Sequence, residues 1–147
     1  MTPVRIRQLT RADLPALMPM RTALWPDQHE TIDELVQFYF TKDDYVCLLA
    51  ETTGGELVGF AEFSIRRDAC GCETAPVGYF EGWWVSESHR RQGVGRALLE
   101  AGEAWIRAKG CTEMGSDAHA DNHVSDKAHQ ALGFVPGSLL RMYAKKL

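Results

Sequence analysis

One stretch near the middle of the chain limits its folding most: Trp84-Val85-Ser86-Glu87-Ser88-His89-Arg90-Arg91-Gln92-Gly93-Val94-Gly95-Arg96-Ala97-Leu98-Leu99. An apolar β-type run ends at Val85, a basic loop follows, and two glycines open a run with apolar residues at helical spacing. A strand that feeds a helix through so short a loop demands a layered arrangement of sheet and helices. The first amides of such a helix have no internal partner. Those N–H groups, the helix dipole and the charges of Arg90, Arg91 and Arg96 suit an anion, and Gly93 and Gly95 carry no Cβ to block a phosphate. The stretch lacks the Gly-Lys-Ser/Thr ending of a P-loop and the third glycine of a Rossmann fingerprint, which argues against both nucleotide-binding alternatives.

The remaining pattern is consistent with one domain over residues 1–147, a length with enough apolar side chains (45%) for a single core. Val4–Leu9 alternates with the period of a half-buried strand. Thr10 or Asp13 caps a helix running to Leu24, and Pro19 inside it predicts a kink or local 3₁₀ winding. A second helix spans Thr31 to Phe40, with a Thr cap and Glu34 three residues later. Tyr45–Glu51 and Leu57–Ile65 read as strands joined by a Gly54-Gly55 hairpin. Val77–Val85 is the next strand, and Gly78 and Gly82 within it mark a bulge or a close approach. A helix over Gly93–Ala108, a short strand over Cys111–Ser116, a short helix over Ser125–Leu132 and a last strand over Leu139–Ala144 complete the order β-α-α-β-β-β-α-β-α-β. That order calls for an α/β (α+β) fold with a mixed sheet flanked by helices.

Charge and cysteine usage narrow the function classes. Sixteen Lys and Arg against 20 Asp and Glu leave a formal charge of -4, so no global positive field attracts nucleic acid. Residues 1–60 carry the whole acidic excess, densest at Asp27, Glu30, Asp33, Glu34, Asp43 and Asp44. This run reads either as a solvated helix face or as a wall facing a polycation. No apolar run approaches the length of about 18 residues that a membrane span needs, and the N-terminus lacks a signal-peptide core, so a cytoplasmic protein without a membrane partner is expected. Cys47, Cys70, Cys72 and Cys111 are then free thiols. The spacing Cys70-Gly71-Cys72 does not suit structural zinc, and no metal is expected.

The phosphate-type loop, with Ala131-Leu132-Gly133-Phe134 and Asn122 upstream of it, resembles the GCN5-related N-acetyltransferase (GNAT) superfamily, whose acetyl-coenzyme A motif is Gln/Arg-x-x-Gly-x-Gly/Ala. Further segments are similar to aminoglycoside 6'-N-acetyltransferases of the type I group: Leu24-Trp25-Pro26, Ser64-Ile65-Arg66, Phe80-Glu81-Gly82, Gly110-Cys111, Glu113-Met114, Ser116-Asp117 and His129-Gln130. The resemblance implies a GNAT fold, a mixed, mostly antiparallel central sheet with about four helices. It also implies acetyl-CoA as co-substrate, an aminoglycoside acceptor, antibiotic resistance and a homodimer that exchanges the C-terminal strand. By the same resemblance Trp25, Glu81 and Asp117 line the acceptor site, with Gln28 or His29 in the place of a His that follows Trp-Pro in relatives. Trp83, Trp84 and Val85 would bind the pantetheine arm, Arg91, Gln92, Gly93, Val94, Gly95 and Arg96 the pyrophosphate, and Asn122 the cofactor again. The chain departs from the group at Asp68-Ala69-Cys70, where relatives carry a Tyr, and at Pro136-Gly137-Ser138, where they carry an acidic residue.

Acetyl transfer from a thioester to an amine needs a bound donor, a neutral amine and a means to stabilise oxyanion and thiolate. A backbone N–H near Trp83 or Trp84, freed by a bulge at Gly82, is expected to polarise the carbonyl. Glu81 is the expected base for the ammonium, and Asp117 a partner for a second ammonium. His129 stands where many superfamily members have a Tyr that protonates the leaving thiolate, and Tyr143 is the alternative acid. Trp25, ending a helix, offers a flat ring for a sugar face. Two other readings remain: the same transfer to a polyamine or protein amino group, and a non-catalytic acyl-CoA-binding module.

Overall fold

The computed structural model describes residues 3–147, which divide into two compact units, one ending at Ser116 and the other comprising Asp117–Leu147. In the first unit the strands are β1 (Val4–Gln8), β2 (Tyr45–Thr52), β3 (Leu57–Arg66), β4 (Val77–Val85) and β5 (Met114–Ser116). Its helices are α1 (Leu14–Leu24), α2 (Ile32–Phe40) and α3 (Val94–Ala108), with 3₁₀ turns at Arg11–Asp13 and Glu87–His89. The five strands form one sheet in sequence order, antiparallel from β1 to β4 and parallel between β4 and β5. This is the mixed, mostly antiparallel sheet expected of the pattern.

Local chemistry explains the element ends. Thr31 Oγ1 accepts the Glu34 N–H at 3.2 Å while Glu34 Oε2 accepts the Thr31 N–H at 2.7 Å, a reciprocal cap that starts α2 where the Thr and Glu spacing indicated. Gly55 takes φ +87° in the β2–β3 hairpin, a left-handed value that costs glycine little. Of the two outcomes expected at Pro19, 3₁₀ winding does not occur: α1 stays α-helical through it, and the 3₁₀ turn lies ahead of the helix. Leu14 and Leu17 before Pro19, and Met20 and Arg21 after it, are buried on one stripe, and that packing outweighs the one backbone bond proline removes.

The sheet has two covered faces. Leu14, Leu17 and Met20 of α1 and Leu35 and Tyr39 of α2 form one core with Cys47, Leu49 and Phe60. On the other face α3 lies so close that a Cβ at Gly102 would stand 2.1 Å from the Phe63 ring, and one at Gly78 2.5 Å from Ile106. Between β3 and β4 the register slips: Glu62 faces Gly82, but the next pair is Phe63 with Phe80. Glu81 is therefore the extra residue of a β-bulge, at the place where a bulge was anticipated. Side chains alternate along β3, so Glu62, Ser64 and Arg66 share the α1/α2 face, and the bulge turns Glu81 onto that face too. Strand β5 pairs only with Gly78, Tyr79 and Phe80, so the same edge of β4 from Glu81 to Val85 has no strand beside it among the described residues.

In the second unit α4 spans His123–Ala131 and is capped by Asn122, whose Oδ1 accepts the Ser125 N–H at 3.1 Å. It begins two residues earlier than the sequence pattern suggested. Leu139–Ala144, expected as a last strand, adopts neither helix nor strand. A β segment needs a neighbouring strand to accept from its N–H groups and donate to its C=O groups, and among the described residues no strand pairs with this segment. Val135, Leu139, Leu140, Met142, Tyr143 and Leu147 are all exposed along it. Among the described residues no helix is long and apolar enough to cross a membrane.

Candidate active site

A cavity of about 530 Å³ opens on the α1/α2 face of the sheet. Its walls include Trp25, Gln28 and Glu30 from the α1–α2 linker, Glu34 and Phe38 from α2, Tyr45 from β2, Glu62 from β3 and Glu81 from β4. Three of the residues singled out by sequence, Trp25, Gln28 and Glu81, thus meet in one space. His29 lines a neighbouring cavity of about 230 Å³ with Met18 and Thr22, so Gln28 rather than His29 shares the space of Glu81. Of the acidic run, Glu30 and Glu34 line the larger cavity, whereas Asp27, Asp33, Asp43 and Asp44 are exposed and line neither cavity.

Glu81 is held through both oxygens, more heavily through Oε1. Its Oε1 accepts Ser64 Oγ–H at 2.5 Å and two Arg66 N–H groups at 3.1 and 2.9 Å; Oε2 accepts one Arg66 bond at 2.8 Å. Arg66 in turn lies flat on the Tyr79 ring, 3.5 Å from its centroid. The neighbouring Gly82 has a different task. A Cβ there would stand 2.4 Å from Cζ2 of Trp25, so only glycine lets the indole settle over β4. Trp25 also meets Phe60 edge-on at 5.9 Å. Gly82→Ala is expected to displace the indole and to destabilise the fold by about 1–3 kcal/mol, the usual cost of overpacking. A near-ultraviolet circular dichroism spectrum and a melting curve check both effects.

Beneath the cavity lies a charge network that motif reading missed. Glu62 is fully buried and accepts Arg21 Nη1 at 2.7 Å, Tyr39 Oη at 2.7 Å and Tyr45 Oη at 2.5 Å. Burial pushes the Glu62 carboxyl above its ordinary value, against Arg21 and the two hydroxyls, which favour the anion. Burial first, and the Glu62 charge second, raise both tyrosine hydroxyls well above theirs, so they stay protonated and donate. Burial disfavours the Arg21 charge, yet Glu62, Tyr39 and Glu30 together hold it above its usual value. A sequence signal for this network existed: a lone Glu inside the apolar run Leu57–Ile65 must find a partner when buried.

The basic loop before α3 takes an unusual course. Arg91 has φ +58° and Gly93 φ +84°, left-handed steps of the kind found in anion-binding turns. The Ala97 N–H donates to the Gly93 carbonyl at 3.0 Å, which puts the amides of Val94 and Gly95 ahead of the helical ladder. Arg91, Gly93 and Arg96 are exposed. Arg90 shapes the loop instead, its Nε donating to the Val85 carbonyl at 2.8 Å, and Gln92 does so through the Ser88 carbonyl at 2.9 Å. Gly95 departs from the reason first given for it: a Cβ there would meet the Trp83 ring at 2.4 Å, so the glycine admits Trp83. Trp83 packs edge-on to Phe80 on the α3 face, whereas Trp84 packs against the α1/α2 core.

In the second unit Asp117 is exposed and directly follows β5 in the chain. His129 Nδ1 donates to the Ser125 carbonyl at 2.7 Å, so the neutral ring carries its proton on Nδ1. The ring packs edge-on to Phe134 at 5.2 Å. Tyr143 is exposed. Among the described residues no group of three or more His, Cys, Asp or Glu side chains is placed to hold a metal ion.

The bulged mixed sheet, the strand edge left open beyond Phe80 and the left-handed turn ahead of α3 accompany a family match: the chain belongs to the acetyltransferase (GNAT) family, matching it over residues 6–134. Within that family it is similar to proteins named aminoglycoside N(6')-acetyltransferase type 1. The one from Stenotrophomonas maltophilia is 44% identical over 88% of this chain and 84% of the relative, and the one from Klebsiella aerogenes 40% identical over 97% and 96%. Among solved structures, the aminoglycoside antibiotic 6'-N-acetyltransferase AAC(6')-Ih from Acinetobacter baumannii superposes with a TM-score of 0.93 at 31% identity, covering 99% of each chain. AAC(6')-Iy, solved in complex with the bisubstrate analog CoA-S-monomethyl-acetylneamine, superposes with a TM-score of 0.92 at 34% identity, covering 99% of this chain and 100% of that one.

Proposed function

We propose that this protein transfers the acetyl group of acetyl-CoA directly to the 6'-amine of an aminoglycoside antibiotic in a ternary complex, which confers resistance. The observation that carries this reading is the cavity on the α1/α2 face, where the carboxylates Glu30, Glu34, Glu62 and Glu81 surround a space walled by Trp25, Phe38 and Tyr45. Such a space suits a polycationic sugar.

Acetyl-CoA, when bound, supplies the activated thioester acyl group and a thiol leaving group. The exposed turn at Arg91–Arg96 fits its pyrophosphate, with the amides of Gly93, Val94 and Gly95 as donors and Arg91 and Arg96 as counter-charges. The open edge of β4 at Trp83, Trp84 and Val85 fits an extended pantetheine arm, and backbone N–H groups there polarise the carbonyl. Asn122 adds a further cofactor contact. Oε2 of Glu81, with a single bond to Arg66, is the atom that orients the 6'-ammonium and takes its proton. Gln28 and Trp25 contact the sugar, and Asp117 binds another ammonium. His129 returns a proton to the thiolate; with Nδ1–H committed to Ser125, it does so from Nε2 as the imidazolium. Tyr143 is the alternative donor.

The protein acts as one GNAT domain over residues 1–147 in the cytoplasm. Its exposed apolar arm from Val135 to Leu147 supports a homodimer formed by exchange of the C-terminal strand. The full chain is expected to sediment as a dimer and a chain ending at Phe134 as a monomer.

Thiol release with kanamycin, spermidine and a peptide panel tests the activity. Release is expected with 6'-amino aminoglycosides and not with 6'-hydroxy ones, and release with spermidine or peptide alone would transfer the reaction to another amine. Because the acceptor is cationic and the cavity acidic, its KM should rise with ionic strength, since exposed charges are screened over about 10 Å at 0.1 M salt. A flat salt response would return Glu30 and Glu34 to an ordinary surface.

A further inference from the structure

Residues 25–31 join α1 to α2 without helix or strand, yet they supply Trp25, Gln28 and Glu30 to the cavity. The Trp25 N–H donates to the Arg21 carbonyl at 2.7 Å and the Gln28 N–H to the Trp25 carbonyl at 3.1 Å, bonds that turn the backbone but do not orient the three side chains. Arg21, in the last turn of α1 and only 7% exposed, touches all of them. Its guanidinium carbon lies 4.9 Å from the centroid of the Trp25 ring. Its Nη2 donates to Gln28 Oε1 at 3.3 Å and to Glu30 Oε1 at 3.0 Å. Its Nη1 points the other way, to Glu62 Oε2 at 2.7 Å on β3 and to the Tyr39 hydroxyl on α2.

A guanidinium can serve both directions because its donors are fixed in one plane, whereas a lysine ammonium is a point charge on a flexible stem. We infer that Arg21 is a positioning residue for the acceptor: it fastens the α1–α2 linker to the buried Glu62 of the sheet and so fixes where Trp25, Gln28 and Glu30 face the cavity. This assignment rests on the reading of that cavity as the acceptor site. A buried arginine that served stability alone would, when replaced, lower the melting temperature and leave the Michaelis constants unchanged.

The test compares the full-length protein with R21K, W25F and the double variant. The near-ultraviolet circular dichroism of wild type minus W25F isolates the Trp25 signal, and R21K is expected to abolish most of it. In initial-rate kinetics R21K should raise KM for the aminoglycoside about tenfold, with kcat and KM for acetyl-CoA within about twofold. The effects of R21K and W25F on acceptor KM should fail to multiply in the double variant, because Arg21 acts through Trp25. An intact Trp25 signal in R21K, a KM rise shared equally by both substrates, or independent effects in the double variant would each overturn the inference. Where R21K does not fold, Glu62→Gln, which keeps the side-chain volume but weakens the anchor of Nη1, is expected to show the same acceptor-selective rise. Absence of thiol release by the wild type with every aminoglycoside would overturn the proposed function instead, and the Trp25 spectrum would still decide whether Arg21 holds the linker.

Discussion

Glu81→Gln is expected to lower kcat/KM for a 6'-amino aminoglycoside about 10²-fold or more, within the range of 10²–10⁴ that a positioned general base contributes. Glutamine keeps the volume and a carbonyl oxygen for Ser64 and Arg66, but it loses the negative charge and the basic oxygen that faces the ammonium. A 10²-fold loss corresponds to about 2.7 kcal/mol of transition-state stabilisation. The turn ahead of α3 proposed for acetyl-CoA contributes no residue to the cavity of Glu81, so KM for acetyl-CoA should change by less than about twofold. Steady-state kinetics across pH checks the assignment. A variant that kept both the rate and the pH profile would show that Glu81 neither orients nor deprotonates the amine.

Glu62→Ala is expected to cost about 3–5 kcal/mol of stability, because it removes the buried partner of Arg21 and leaves only the more exposed Glu30 to balance its charge. Arg21 Nη1 loses that carboxylate, and the hydroxyls of Tyr39 and Tyr45 lose it as well. At about 2–4 °C per kcal/mol for a chain of this size, the melting temperature should fall by about 6–20 °C. Glu62→Leu combined with Arg21→Met should recover much of the loss, since apolar side chains of similar volume often replace a buried ion pair without penalty. Thermal unfolding of the three proteins decides it, and a fall of under about 1 kcal/mol for Glu62→Ala would mean that Arg21 finds another partner.

How far the site was legible depended on the kind of interaction that places each residue. The cap at Thr31 and Glu34, the hairpin at Gly54 and Gly55, and the turn at Arg91–Gly93 depend on neighbours a few residues away, and they lie where the pattern indicated. The bulge was legible from Gly82, but its consequence was not: the extra residue is Glu81 itself, and that turns its carboxylate into the cavity. Gly82 and Gly95 show the same gap. Both read as glycines that admit a close approach, yet what approaches is Trp25 in one case and Trp83 in the other, partners far away in the chain. Arg21 and Glu62, 41 positions apart, gave no motif at all. The expected strand at Leu139–Ala144 has the right residue types but no strand beside it.

By itself the sequence determined the order of elements as far as α4, the sheet-and-helix class and the turn ahead of α3, because those follow from periodicity, capping and turn chemistry, all of which act over a few residues. Only the tertiary structure decided which side chains share the cavity. That depends on strand register, where a shift of one residue sends Glu81 to the opposite face, and on the buried pairing of Arg21 with Glu62, which exists only once α1 has packed onto β3 and excluded water.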